Sequence, residues 1–322
     1  MHAASEELEA VFRAHEAHRL SSLGQQNLSP DALFYKALLH LAEGDLGVCR
    51  SIVVEMAERG PRQGLFYEVS RWWRARPDSG ANAAVYASPA GFESFIQNGG
   101  NVELYRALRA ELAKLYAGYP ELRLLDIGIG TGFAEDGALP ETVRELVALD
   151  PSAELLQEAL VRLRTPGRMI RPVQEGIESF LAREPEGRWP LAVASFSLHC
   201  LPEARRAHLL TELARRVKTL VIAEFDADSF QEAWGPLRYK HLRDRYERGI
   251  AEYASIGETA AVEGFLVPMF LGQFAPGVVQ QTHEQPIASW KKDCETAGFR
   301  EVTVRPLAPY WWAEAFLVTA RG

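Results

Sequence analysis

The sequence predicts an α/β protein: buried strands that end in a glycine turn, preceded by an all-helical extension. Three observations carry this. An apolar run at 122–127 is strand-like in length and content, and it breaks into a turn with glycines at alternate positions, Gly128, Gly130 and Gly132. A second apolar run, 146–149, ends in Asp150, 22 residues past Gly128. An acid at a neighbouring strand end is placed to hold ribose hydroxyls. Residues 1–84, by contrast, show no strand patterning.

In chain order, helices are expected at 6–20, 30–43, 46–58 and 64–74. Ser29 is suited to cap the second and Pro30 to open it, while Gly44 and Gly60 punctuate helix ends. Leu33-Phe34-Tyr35-Lys36 recurs as Leu65-Phe66-Tyr67-Glu68, 32 residues on, near the period of a tetratricopeptide hairpin. Two copies do not establish a repeat. A helical cap is the simpler reading, and a face for a peptide or partner is the other. Residues 77–82 read as a linker, which divides the chain into 1–84 and 85–322. A short helix then carries Phe92, Phe95 and Ile96 on one face and breaks at Gly99-Gly100, with Asn101 placed to cap a helix at 102–115.

After the glycine turn and Asp150, Pro151 suits the first turn of a helix at 153–163. Further apolar runs lie at 191–195 and 220–225. Residues 226–286 are a long insertion with a helix at 234–253 carrying Tyr239, His241, Arg245 and Tyr246, followed by an aperiodic apolar stretch at 264–274. Insertions of this length often serve as lids or substrate walls.

Composition sets bounds. A chain of 322 residues with 47% hydrophobic content has ample core for one catalytic domain and an extension. A net charge of −8 argues against a generic nucleic-acid groove. Cys49, Cys200 and Cys294 are far apart and lack metal-type spacing, so reduced thiols in a cytoplasmic protein and no metal are expected. The acidic start is unlike a signal peptide, and no apolar run is long enough to span a bilayer.

The glycines decide between cofactors. A dinucleotide site wants a small residue three past the second glycine, where helix packs on strand; here Phe133 stands there. A nicotinamide enzyme is therefore disfavoured. Asp126 with Gly128, Gly130 and Gly132 resembles motif I of class I S-adenosylmethionine-dependent methyltransferases, and Ala148-Leu149-Asp150-Pro151-Ser152 resembles the second motif. Residues 171–178, 191–201 and 220–225 look like the third to fifth strands, and 301–304 with 314–319 like the closing antiparallel pair. The resemblance covers about 85–322 and implies a seven-stranded Rossmann-like sheet, mostly parallel with an antiparallel last strand. It implies S-adenosylmethionine as cofactor and S-adenosylhomocysteine as product. It also implies that close helix packing at the third glycine is not required.

The resemblance carries roles onto particular residues. Asp126 braces the glycine turn or reaches the cofactor's amino group through water, and the three glycines give backbone access. Asp150 accepts from the ribose hydroxyls. Glu175 and Ile177 flank the adenine turn, and Ser195 and Phe196 touch the methionyl part. Asn98, Gly99 and Tyr105 lie in the segment that closes over the cofactor, with Phe95 toward the substrate. His199 suits a general base or a substrate contact, with His241 and His283 as alternative bases. Glu224 and Asp226 are placed to face the cleft. Trp234, Tyr239, His283, Tyr310 and Trp311 are expected to line the acceptor, the last two walling an apolar acceptor or a cationic amine. Trp72-Trp73 reads as core.

Methyl transfer from a sulfonium is an in-line displacement, so alignment and exclusion of water do most of the work. A base is needed only where the acceptor must lose a proton. The expected activity is methylation of an oxygen or nitrogen of a small molecule, in a setting such as specialised metabolism. A peptide or protein acceptor presented by the helical part, or a non-catalytic cofactor-binding regulator, are the alternatives. No Asn-Pro-Pro-aromatic sequence follows the fourth strand, which, in a chain resembling this family, lowers DNA-base acceptors and some protein acceptors.

Overall fold

The structure is a computed structural model and describes residues 2–24, 28–59, 62–76, 88–276 and 282–322. The expected linker at 77–82, Gly60 and the expected boundary at 84 lie outside them. In chain order come α1 (His2–Glu16), α2 (Pro30–Ala42), α3 (Leu46–Arg59), α4 (Gly64–Ala75), α5 (Pro89–Gln97) and α6 (Gly100–Ala117). Next are β1 (Leu122–Ile127), β2 (Val143–Leu149), α7 (Ala153–Leu163), β3 (Met169–Val173), α8 (Ile177–Arg183), β4 (Trp189–Ser195), α9 (Glu203–Ala214) and β5 (Val217–Phe225). The chain continues through α10 (Pro236–Ser255), α11 (Thr259–Ala261), α12 (Val267–Gly272), α13 (Ile287–Ala297), β6 (Glu301–Ala308) and β7 (Ala315–Arg321). A π turn, Val262–Leu266, joins α11 to α12.

Contacts divide the chain into two compact units: Met1–Val102 with Phe230–Val279, and Glu103–Ser229 with Gln280–Gly322. Most of the 226–286 insertion therefore groups with the N-terminal helices, and the division falls after 102 rather than at 84.

The first unit is helical. Ser29 caps α2 by accepting from the Ala32 amide at 3.3 Å, and Pro30 opens it. Ten of its thirteen residues are buried, so α2 is a central helix wrapped on all sides. The two copies of the short repeat meet where Phe34 of α2 packs on Phe66 of α4, with ring centroids 4.4 Å apart. Trp72 and Trp73 are buried, as expected for core. The α10 helix is tied in by Tyr239, which stacks on Tyr35 at 4.4 Å and donates to Asp31 Oδ1 at 2.6 Å. One expectation is corrected: Asn101 lies inside the first turn of α6 instead of capping it, and its buried amide donates to the Phe95 carbonyl and to Tyr253 Oη, both at 2.8 Å.

The second unit is the sheet, a seven-stranded Rossmann-like arrangement in the order β3-β2-β1-β4-β5-β7-β6. The first five strands in sequence run parallel, and β7 is antiparallel to both β5 and β6. Side chains alternate between its faces. Leu122 and Leu124 join one core with Leu108 and Leu112 of α6 and Leu156 and Leu163 of α7. Leu125 and Ile127 join the other, with Phe180 of α8, Leu209 of α9 and Trp290 of α13. Both rim strands contain a proline, Pro172 in β3 and Pro306 in β6, which only an edge position tolerates well.

Two local features depart from expectation. Ser152 caps α7 by accepting from the Leu155 amide at 3.3 Å, so Pro151 precedes the cap and is outside the first turn. The β1–β2 connection has turns and no helix, although parallel strands are usually joined through one. Gly137, with φ +76°, and Pro140 account for this, since neither continues a helix.

Candidate functional site

The carboxyl ends of β1, β2, β4 and β5 converge in the second unit, where an open parallel sheet binds ligands. Gly128, Gly130 and Gly132 have φ of +73°, +56° and +73°, a region that strains other residues. Each has a different reason to lack a side chain. A Cβ at Gly128 would lie 2.5 Å from Ser197 Cβ, and Ser197 Oγ is fixed by donating to the Ile127 carbonyl at 2.6 Å. A Cβ at Gly132 would lie 2.9 Å from Leu163 Cδ1 and 3.2 Å from Ala159 Cβ. The third glycine therefore does permit close helix packing, against α7, which corrects the expectation that it need not. Only at Gly130 is the space open, with nothing within 4 Å of where a Cβ would stand.

Asp150 ties this turn to β2. Its Oδ2 accepts from the Gly130 amide at 3.0 Å and its Oδ1 from the Ser152 amide at 2.9 Å. A carboxylate has about four acceptor positions, so roughly half remain for a ligand. Phe133, whose bulk excluded the dinucleotide pattern, is clamped. Arg109 sits over its ring at 4.2 Å and Arg162 at 5.4 Å, and the Tyr105 ring meets it edge-on at 4.8 Å.

Asp126 is buried and faces inward to Glu135, which is also fully buried. Tyr116 Oη donates to Glu135 Oε1 at 2.7 Å. Burial, then the charge of its neighbour, pushes the Asp126 carboxyl well above its usual range, and burial pushes Glu135 up to about 7. Two carboxyls in one dry site hold a proton between them. Asp126 thus shares its buried site with Glu135, a residue the sequence did not single out.

At the end of β4, Ser195 Oγ is buried with no hydrogen-bond partner among the described residues. Phe196 follows with φ +53°, a strained conformation for a non-glycine costing about 1–3 kcal/mol. Its ring stacks on Phe225 at 4.7 Å and meets Tyr105 edge-on at 6.1 Å. Strain of this kind persists where the surroundings over-determine it.

His199 lies three residues further on. Its Nδ1 is 2.9 Å from Glu224 Oε2, and its backbone amide donates to Glu224 Oε1 at 3.2 Å. Glu224, at the end of β5, is 1% exposed, so this is a desolvated pair. Burial opposes the charged imidazolium, but the Glu224 charge and the ring's hydrogen bonds to Cys200 and Glu224 outweigh it and raise the His199 pKa well above the ordinary value. The carbonyl of His199 accepts from the His283 amide at 2.6 Å, which brings two of the expected histidines together through backbone. His241, the third candidate base, belongs to the first unit, where its ring meets Phe230 edge-on at 4.9 Å.

The next residue, Glu284, lies near His199 and Glu224 and accepts from the Thr282 hydroxyl at 3.5 Å; burial pushes its carboxyl up. Buried Arg206 holds this segment, donating to the His283 carbonyl at 2.9 Å and to Gln285 Oε1 at 2.5 Å. Sequence reasoning missed Glu284 and Arg206. Asp226 does not serve the cleft as expected, because its Oδ1 accepts from the Ile287 amide at the start of α13, at 2.8 Å.

The remaining expected residues fall as follows. Glu175 is paired with the Arg183 guanidinium, and Ile177 is buried in the core beneath the sheet. Tyr310 stacks on Phe225 at 5.4 Å and leads to Trp311. Phe95, Asn98, Gly99, Trp234 and Tyr239 belong to the first unit. There Phe95 stacks between Phe265 and Tyr253, Asn98 donates to the Ser94 carbonyl at 2.9 Å, and Gly99 has φ +55°. The Trp234 carbonyl accepts from Tyr35 Oη, and Tyr239 is wholly buried. Among the described residues no helix is long and apolar enough to cross a membrane.

Residues 124–219 match the family model of a methyltransferase domain. Among solved structures, the chain is similar to magnesium protoporphyrin IX methyltransferase from Synechocystis PCC 6803 with bound S-adenosylhomocysteine, at 13% identity and TM-score 0.48, over 73% of this chain and 95% of that one. It is also similar to human N-acetylserotonin methyltransferase in complex with S-adenosylmethionine, at 16% identity and TM-score 0.42, over 94% and 73%. A small RNA methyltransferase gives 11% identity and TM-score 0.44, over 68% and 26%. No curated protein matches.

Proposed function

We propose that this chain, whose residues 124–219 match the family model of a methyltransferase domain, is a class I S-adenosylmethionine-dependent methyltransferase that moves a methyl group from S-adenosylmethionine to an oxygen or nitrogen of a small molecule. The donor fits the residues present. Open space over Gly130, spare acceptor positions on Asp150 and the unpartnered Ser195 Oγ are three polar or backbone openings at one sheet end. Asp150 and the Gly130 backbone would hold the nucleoside, and Ser195 and Phe196 the methionyl part. When bound, the donor supplies an electrophilic methyl already activated by the sulfonium charge.

The observation that carries the reading of an active enzyme is the His199–Glu224 pair. Glu224 takes Nδ1, which leaves Nε2 as the nitrogen that exchanges a proton with an acceptor. Glu224 also fixes the ring's orientation and favours its charged form. The raised pKa favours the imidazolium, so His199 becomes a base only as pH climbs above that pKa. Arg206 and Glu284 act through His199 as positioning residues. The net charge of −8 favours a small acceptor over a polyanion.

The test is transfer of labelled methyl to a metabolite extract across pH 6–10. His199→Gln should lower transfer by about 10²–10⁴-fold, the range for losing a positioned acid–base group, with donor affinity retained. Glu224→Gln should move the rising limb of the pH profile to lower pH. Full turnover by His199→Gln at every pH would refute the assigned role.

A further inference from the structure

Glycine loses more conformational freedom on folding than any other residue, and residues 128–132 hold three of them. Such a turn needs outside restraint to keep one shape before a ligand arrives. Side chains from three elements supply it. At the end of β2, the Asp150 carboxylate takes the Gly130 amide. Two arginines take carbonyls instead. Arg162 of α7 donates through Nε to the Thr131 carbonyl at 3.1 Å. Arg109 of α6 donates through Nε and Nη2 to the Phe133 carbonyl at 3.0 and 2.8 Å.

Both guanidinium groups also lie against the Phe133 ring, so each arginine holds this stretch by a carbonyl and by a side chain. A planar guanidinium suits that double task, because it donates from its edge and lies flat on a ring. The grips start from a fixed base. Leu108 precedes Arg109 and Leu163 follows Arg162, and both leucines are buried in the same core. Phe133, whose bulk departs from the dinucleotide pattern, is thus the handle by which two helices hold the turn.

Resting on the methyltransferase reading above, we infer that Arg109 and Arg162 are positioning residues for the donor: they fix the carbonyl side of the glycine turn, so that the opening over Gly130 stands formed before S-adenosylmethionine binds. A turn shaped in advance spares the ligand the cost of ordering it, and the saving appears as affinity. Charge separates this role from a simpler one. The donor carries a sulfonium and its product does not. Arginines acting through charge would oppose the donor more than the product, whereas arginines acting through shape serve both ligands alike.

The experiment uses the full chain and two measurements. Arg109→Met and Arg162→Met keep an unbranched apolar stem and remove the N–H donors. Hydrogen exchange over 128–136 is followed in the ligand-free chain, where the Gly130 amide bonds Asp150 and the Gly132 amide bonds the Ile129 carbonyl at 3.0 Å. Exchange there should quicken in each variant while exchange in β1 and β4 stays at the wild-type rate, which also reports an intact fold. Calorimetric affinity for S-adenosylmethionine and for S-adenosylhomocysteine should fall together, by about tenfold in each variant, the scale for losing a hydrogen bond to a charged group. Arg109→Lys keeps the charge and a donor but loses the flat fork, and it should lie between Arg109→Met and the wild type on both measures. Wild-type affinity in both methionine variants, a change confined to the sulfonium ligand, or exchange that quickens equally in the strands would overturn the inference. Failure of the wild-type chain to bind either ligand would instead defeat the methyltransferase reading beneath it.

Discussion

Replacing Glu135 with glutamine should stabilise the sheet unit above pH 7 and leave it nearly unchanged at pH 5. Glu135 is fully buried beside Asp126, itself 2% exposed. A cation that acts on it is Arg168, whose guanidinium is already engaged by the Leu139 and Pro140 carbonyls at 2.9 and 3.2 Å. Burial moves the Glu135 carboxyl from its ordinary 4.5 up to about 7. The sign follows from linkage. Below the ordinary range both folded and unfolded chains are protonated, and the group is neutral to stability. Between that range and pH 7 the unfolded chain ionises while the folded one does not, so folding is increasingly penalised. Above pH 7 the penalty is constant.

A shift of that size corresponds to about 3 kcal/mol, at 1.36 kcal/mol per unit. Glutamine has no proton to lose, keeps an oxygen for the Tyr116 hydroxyl, and offers an N–H to Asp126. Asp126 then ionises more readily, which offsets part of the gain. The expected gain is about 1–3 kcal/mol at pH 8, or several degrees at about 2–4 °C per kcal/mol for a unit of this size. Thermal melts at pH 5 and pH 8 measure it. A loss of stability at pH 8 would refute the reasoning, because it would mean that the ionised pair is matched by a cation.

Two further outcomes test the nucleotide end. Asp150→Ala strips the acceptor from the Gly130 and Ser152 amides and should weaken donor binding by about 1–3 kcal/mol, the scale for a lost charge-assisted hydrogen bond; an unchanged calorimetric Kd contradicts the assignment. Gly128→Ala places a Cβ against Ser197 at a left-handed φ, so donor binding should fall below detection, and adding Ser197→Gly should recover part of it. No recovery in the double variant would show that the clash is not with Ser197.

How much of this was legible in the sequence depended on whether the signal was local. The strand at 122–127 and the glycine turn were readable because apolar residues and glycines sit next to one another in the chain. Asp150 was readable because it directly ends an apolar run. Glu135, Glu284 and Arg206 were not, since each is a polar residue whose meaning comes from partners remote in sequence. The grouping of the insertion with the N-terminal helices was hidden for the same reason: Tyr35 meets the Trp234 carbonyl across 199 residues and Trp72 that of Glu263 across 191. Tyr239 read as a substrate contact because it lies on a helix with both aromatic and charged residues. Its hydroxyl instead satisfies Asp31 inside the helical unit, where burial makes a partner obligatory.

The prolines at the two margins of the sheet have a consequence for how copies of this molecule meet. An outer strand normally offers a row of free amides on which a neighbour's backbone can zip. Pro172 and Pro306 each leave a gap in that row, and charged Arg171 and Arg305 flank them. Association through one ribbon running from copy to copy is thereby discouraged on either side. Crowded molecules are left to touch through side chains alone, and the sheet grows no wider than its own seven members.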